Sequence, residues 1–149
     1  LACVEFARNV LGEKHAHTME INANTPDPVI HVNPYQAKNI RQNRYGGTMR
    51  LGAYDCLLKK GSQTAQAYGK TKISERHRHR YEFNNDYRAP MEAAGMQMVG
   101  VNPEPDLVEI IELKDHPFFI GTQFHPEFKS RPMRPHPLFR EFVKAALLS

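Results

Sequence analysis

The chain has 149 residues, 40% of them hydrophobic and 24% charged, with a formal charge of +4. This length suits one domain with a buried core, and no apolar run reaches the roughly 18 residues of a membrane-spanning helix. Basic residues alternate with acidic ones along most of the sequence, which argues against a nucleic-acid surface outside one short run considered below.

The opening "LACVEFARNV" has neither the basic segment nor the small-residue cleavage site of a signal peptide. Cys3, Phe6, Ala7 and Val10 recur at helical spacing and predict a helix over Leu1 to Leu11, ended by Gly12. No Ser, Thr, Asp or Asn precedes it as a cap, so the chain is expected to be an N-terminally truncated fragment. Cys3 and Cys56 lie far apart in no metal or disulfide pattern, which points to a reducing, cytoplasmic setting.

Residues 13 to 28 read as loop, and Val29 to Val32 as a short strand. "NPYQAKNIRQNRYGG", with Pro34, Gly46 and Gly47, predicts an exposed, mobile segment. Ala53 to Lys59 suggests a strand, and Thr64 to Tyr68 one or two helical turns. In "SERHRHRYEF" the alternation sends Arg76, Arg78 and Arg80 to one side and His77, His79 and Tyr81 to the other, as in a strand. "NDYRAPMEAAG" reads as a short helix closed by Gly95. "MQMVGV", with Met96 and Met98 inward, "LVEIIEL" and "FFIGTQF" are three strand candidates. The last helix starts at Pro137 and presents Leu138, Phe139, Phe142, Val143, Ala146 and Leu147. Mixed helices and strands make the fold α/β or α+β.

The chemistry concentrates at "QFHPEF", where a predicted strand runs into His125. Pro126 restricts the backbone, and in extended geometry His125 and Glu127 project to one side. A carboxylate so placed accepts the imidazole N–H, fixes its tautomer and stabilises the imidazolium, as in the base half of a nucleophilic triad. The plainer alternative is that His125 caps a turn and Glu127 is a surface charge. No nucleophile is evident: Cys56 in "YDCLLKK" and Cys3 on the apolar helix face read as packed thiols, and no Gly-x-Ser-x-Gly elbow occurs.

Three readings compete for "RHRHR". A polyanion-binding strand is one, but Tyr81 alone supplies an aromatic platform, and Glu75 and Glu82 bracket the run. Metal ligation by His77 and His79 is opposed by the neighbouring guanidiniums. Structural salt bridges are favoured for Arg76 and Arg78. "GGTMRLG" reads as two turns around a short strand with Arg50 structural.

Several stretches together resemble a known family. "QFHPEF" resembles the His-Pro-Glu of the class I glutamine amidotransferases. "GGTMRLG", "ERHRHRYE", "ARNVLG" and "DHPFFIGTQFHPEFKSRP" more narrowly resemble the glutaminase domain of the CTP synthase family, across essentially the whole chain. His-Pro-Glu alone is shared with GMP synthetase, the runner-up, which "ERHRHRYE" disfavours. The resemblance implies an α/β fold: part of a flavodoxin-like amidotransferase domain, a central mixed sheet flanked by helices. It implies that residues 1 to 149 are the C-terminal portion of that domain, lacking the elbow whose cysteine attacks glutamine. On this view the fragment alone is inactive.

The same resemblance implies that His125 takes the thiol proton and Glu127 orients it. It matches Glu20, in "AHTMEI" where the family has a pattern closer to Asn-Ser-Thr-Glu-Phe, to a contact with the α-ammonium of L-glutamine, and Arg80 to another glutamine contact, which the guanidinium can make with the α-carboxylate. No metal or cofactor is implied for this part. ATP and Mg belong to an absent N-terminal synthetase domain that aminates UTP to CTP, and the parent is implied to be a GTP-regulated homotetramer. Neither nucleic acid nor membrane is an expected partner. A non-catalytic amidotransferase-like regulatory module remains the alternative.

Overall fold

The computed structural model describes residues 1–32, 49–104 and 106–148. The mobile segment expected at 33–47, with Gly46 and Gly47 of "GGTMRLG", therefore lies outside the described residues. The described residues divide into two compact units, Leu1–Leu51 with Arg78–Gly95, and Gly52–His77 with Met96–Ser149.

The first unit opens with helix α1, Ala2–Asn9, which buries Phe6 and Ala7 of the expected stripe together with Val4, while Cys3 is only partly buried and Val10 is exposed. Leu1 stands at its N-cap without a side-chain hydrogen bond, and Gly12 follows at φ 80°, where an L side chain would be strained. Helix α1 packs on strands β1 (Ala16–Thr18) and β2 (Asp27–Val32). Residues 13–28, read as loop, thus contain a short strand. Three residues leave no periodicity to detect, and their pairing with β2 fixes them. The small sheet is mixed: β1 runs parallel to β2, which is antiparallel to β5 (Tyr81–Phe83), with Ile30 opposite Phe83. Helix α3 (Arg88–Ala93) buries Met91, and Gly95 just beyond it has φ 105°, the termination its position predicts.

The second unit holds a five-stranded sheet in the order β4, β3, β6, β7, β8. Strand β3 spans Arg50–Leu58, β4 Lys72–His79, β6 Met96–Asn102, β7 Leu107–Leu113 and β8 Ile120–Thr122. Only Arg50 and Leu51 of β3, and Arg78 and His79 of β4, belong to the first unit. Strand β3 begins three residues earlier than "AYDCLLK" suggests, and β8 is much shorter than "FFIGTQF". Cys56, Leu58, Ala65, Ala67, Ile73, Val99, Ile110, Phe124 and Leu138 form one apolar cluster. Fully burying a large apolar side chain contributes roughly 1.5–3 kcal/mol, so this cluster is the main source of the unit's stability.

Helix α2 (Gln63–Tyr68) is capped by the Ser62 hydroxyl, which accepts the Ala65 N–H at 3.0 Å. Helix α4 (Pro137–Ala146) starts at Pro137 as expected. Its apolar stripe is not a core face, however. Leu138 is buried, whereas Phe142 is 58% and Val143 55% exposed. Spacing reports an amphipathic helix but not which face finds a neighbour.

Two more expectations change. "SERHRHRYEF" is not one strand, because a bend at Arg80 separates β4 from β5, which belong to different sheets. Along β4 the period-two pattern itself holds, with Ile73, Glu75 and His77 buried and Arg76 and Arg78 exposed. Among the described residues Arg76 and Arg78 form no ion pair, contrary to the salt-bridge reading, since both point to solvent. Arg50 does behave structurally: it is buried, with Nη1 3.9 Å from the fully buried Glu82 carboxylate.

Candidate functional site

The sequence-predicted residues fall into two pairs, one in each unit. His125 and Glu127 meet directly in the second unit: Nδ1 of His125 lies 2.7 Å from Oε1 of Glu127. An ionised carboxylate only accepts, so Nδ1 carries the proton and Nε2 presents the lone pair. The hydrogen bond from His125 holds the Glu127 carboxyl below the usual carboxylate range. The imidazole also stacks on Phe128, with ring centroids 4.8 Å apart and planes 15° from parallel.

The route to this contact differs from the expected extended strand. Pro126–Phe128 forms one turn of 3-10 helix with Pro126 in its first position and His125 before it. The turn, not strand alternation, brings i and i+2 together. Its backbone is satisfied internally, Phe128 N–H donating to His125 O at 3.1 Å and Lys129 N–H to Pro126 O at 3.1 Å. His125 N–H donates to Arg76 O of β4 at 3.0 Å, and Gln123 N–H to Glu109 O of β7 at 2.8 Å. Two neighbouring strands therefore fix the backbone on which the histidine stands.

Glu20 and Arg80 come together in the first unit. Both line an open cavity of about 420 Å³ with Ile30, Met49, Arg78, His79 and Tyr81. Glu20 sits just after β1 in a turn where its N–H donates to Thr18 Oγ1 at 3.2 Å. Its side chain is exposed, while Arg80 is half-buried at the bend between β4 and β5. A carboxylate and a guanidinium bordering one cavity suit a zwitterionic amino acid, the acid toward the ammonium and the guanidinium toward the carboxylate.

Neither cysteine has the surroundings of a nucleophile. Cys56 is fully buried within the apolar cluster. Burial pushes the Cys3 thiol up to about 11, far from a thiolate at neutral pH. Among the described residues no group of three or more His, Cys, Asp or Glu could hold a metal ion. His77 instead faces Glu109, Nε2 to Oε2 at 3.4 Å, both buried.

The sequence matches the glutamine amidotransferase class-I family over residues 1–145. The chain belongs to the class-I glutamine amidotransferases. Its mixed α/β architecture, a central sheet flanked by helices, matches that of this amidotransferase family. It is 58% identical over 147 residues to the CTP synthase of Halalkalibacterium halodurans, covering 99% of this chain and 27% of that protein. It is 60% identical over 145 residues to the CTP synthase of Cytophaga hutchinsonii, covering 97% of this chain and 26% of that one. Among solved structures, the glutaminase domain of Trypanosoma brucei CTPS with bound acivicin matches with a TM-score of 0.89 and 36% identity. That match covers 99% of this amidotransferase chain and 56% of the other. The chain thus spans about a quarter of the length of the curated relatives it matches.

The sequence did not point to the carboxylates buried beside this turn. Glu75 is 2% exposed, and its Oε1 accepts from Tyr68 Oη at 3.0 Å and from His136 Nε2 at 3.3 Å. It reads as a bracket to the basic run, yet period two from Ile73 puts it on the inward face, and a carboxylate on an apolar face was the available signal.

Proposed function

We propose that this chain is the C-terminal portion of the glutaminase domain of a CTP synthase, which splits L-glutamine to supply ammonia for amination of UTP. The His125–Glu127 hydrogen bond of 2.7 Å carries this reading, because it gives a neutral imidazole a free Nε2 and a carboxylate to stabilise the cation. The thiol to be deprotonated is assigned to residues outside these 149, since Cys3 and Cys56 are unsuited.

Nε2 of His125 accepts the thiol proton, and the thiolate attacks the side-chain amide carbon of glutamine. The carbon–nitrogen bond then breaks, and ammonia leaves with the proton the imidazolium returns. The imidazole next takes a proton from water, whose oxygen adds to the thioester and releases glutamate and the thiol. Glu20 receives the α-ammonium and Arg80 the α-carboxylate of glutamine. ATP and Mg act in the synthetase part of the protein rather than on these residues. The reading places the protein in a reducing cytoplasm, where Cys3 and Cys56 remain thiols.

The test is His125→Ala in the full-length protein. Glutamate release from glutamine is expected to be lost, and added ammonia is expected to restore CTP formation. Undiminished glutamine hydrolysis in that variant would overturn the reading.

A further inference from the structure

The turn bearing His125 and Glu127 is tied to β4 at more than one point. His125 N–H donates to Arg76 O at 3.0 Å. On the far side of the turn, Lys129 Nζ donates to Ser74 O and lies 3.5 Å from Oε1 of Glu75. Three successive β4 residues, Ser74 to Arg76, thus receive the two ends of a five-residue segment, with Glu127 midway.

Glu75 is itself held from behind. Leu138 N–H donates to His136 Nδ1 at 3.3 Å, which makes Nδ1 the acceptor and puts the ring proton on Nε2. That N–H is shared between the Tyr68 oxygen at 3.0 Å and Glu75 Oε1 at 3.3 Å. The Tyr68 hydroxyl proton goes to the same carboxylate oxygen. His136 N–H donates to Ser130 Oγ at 3.1 Å, which returns the network to the residue after Lys129. The carboxylate side chain is 3% exposed, while the Lys129 side chain is 44% exposed. A buried anion with the Lys129 ammonium reaching in from the turn makes a directional anchor, since moving the turn uncovers the charge.

We propose that Lys129 and Glu75 are positioning residues for the amidotransferase reaction, holding the His125–Glu127 turn in register on β4. The inference rests on the glutaminase reading for its activity consequences, but its structural claim stands apart from it. Neither residue touches the reacting atoms; each acts through the placement of His125. Misplacing a catalytic group by about 1 Å can cost on the order of 100-fold.

The experiment replaces Lys129 by Met, which keeps the aliphatic stem and removes the ammonium, and by Arg, which keeps the charge, in the full-length protein. Lys129→Met is expected to lower kcat for glutamine by about 10-fold or more with KM within about twofold, and Lys129→Arg to recover most of the loss. In parallel, nitrogen-15 NMR of labelled histidines reads the His125 tautomer. Wild type and Lys129→Arg are expected to hold the proton on Nδ1, and Lys129→Met to show a mixture. An unchanged tautomer with unchanged kcat in Lys129→Met overturns the positioning role while leaving the glutaminase reading intact. If His125→Ala retains glutamine hydrolysis, the glutaminase reading falls, and the NMR result alone decides the anchor: a mixture supports it and an unchanged tautomer refutes it.

Discussion

Glu112 of β7 caps helix α2 through Thr64. Its Oε1 accepts both the Thr64 N–H and the Thr64 hydroxyl at 2.7 Å, and its Oε2 accepts the Gln63 N–H at 3.1 Å. A carboxylate 48 residues away in sequence satisfies donors that a helix cannot satisfy itself. Glu112→Ala leaves them unpaired in a buried place, so urea titration should show a loss of about 1–3 kcal/mol. A midpoint unchanged from wild type would refute the cap.

Gly100 and Gly121 are predicted to resist side chains because isoleucine side chains of the adjacent strand β7 occupy the space a Cβ would take. A Cβ on Gly100 would stand 2.6 Å from Ile110 Cγ1, and one on Gly121 2.8 Å from Ile111 Cγ1. Each glycine is the cross-strand partner of that isoleucine. Gly100→Ala should destabilise by about 1–3 kcal/mol, and adding Ile110→Val should recover part of it, as a double-mutant cycle in urea would measure.

Stability should fall toward acid through Glu75. Burial raises its carboxyl, but the hydrogen bond from His136, the Lys129 ammonium and the Tyr68 hydroxyl together outweigh burial and leave it below the usual range. A group depressed in the folded state contributes stability above its unfolded value, and that contribution is lost as pH falls through the folded value. Glu75→Gln should therefore flatten the acid limb of a thermal-melt series. A slope equal to wild type would show that Glu75 does not titrate with unfolding.

Cysteine chemistry supplies a fourth test. With Cys56 in the apolar cluster and the Cys3 thiol near 11, iodoacetamide at neutral pH should label neither rapidly. The 149-residue chain on its own should release no glutamate from glutamine above background. Rapid alkylation of Cys3, or measurable turnover, would move the nucleophile into this chain.

Substrate recognition is tested at Arg80. Arg80→Lys retains the charge but loses the two-pronged donor geometry, and is expected to raise KM for glutamine by about 10-fold. Glu20→Gln should raise KM in the same sense by weakening the hold on the ammonium. Steady-state kinetics in which either variant alters kcat alone would assign that residue to chemistry instead.

How much of this was legible in sequence depends on range. Cys3, Phe6 and Ala7 announce α1, Pro137 announces α4, and Gly95 marks the end of α3, because each depends on neighbours within one or two turns. The "QFHPEF" stretch named His125 and Glu127 correctly as a pair but supplied the wrong local geometry. A three-residue 3-10 turn has no repeat long enough to distinguish it from strand. Strand β1 was missed for the same reason. The apolar stripe of α4 is legible in the spacing but largely exposed, because periodicity orders residues around an axis without saying what lies opposite.

The sequence by itself determined which side chains are candidates for the chemistry, since imidazole, carboxylate and guanidinium at given positions are covalent facts that folding cannot alter. Tertiary structure decided which of them meet. The 2.7 Å contact of His125 with Glu127, the burial of Glu75 among Tyr68, His136 and Lys129, and the capping of α2 by Glu112 join groups across turns and strands. Such contacts arise from closing the chain on itself, and a linear pattern records spacing but not closure.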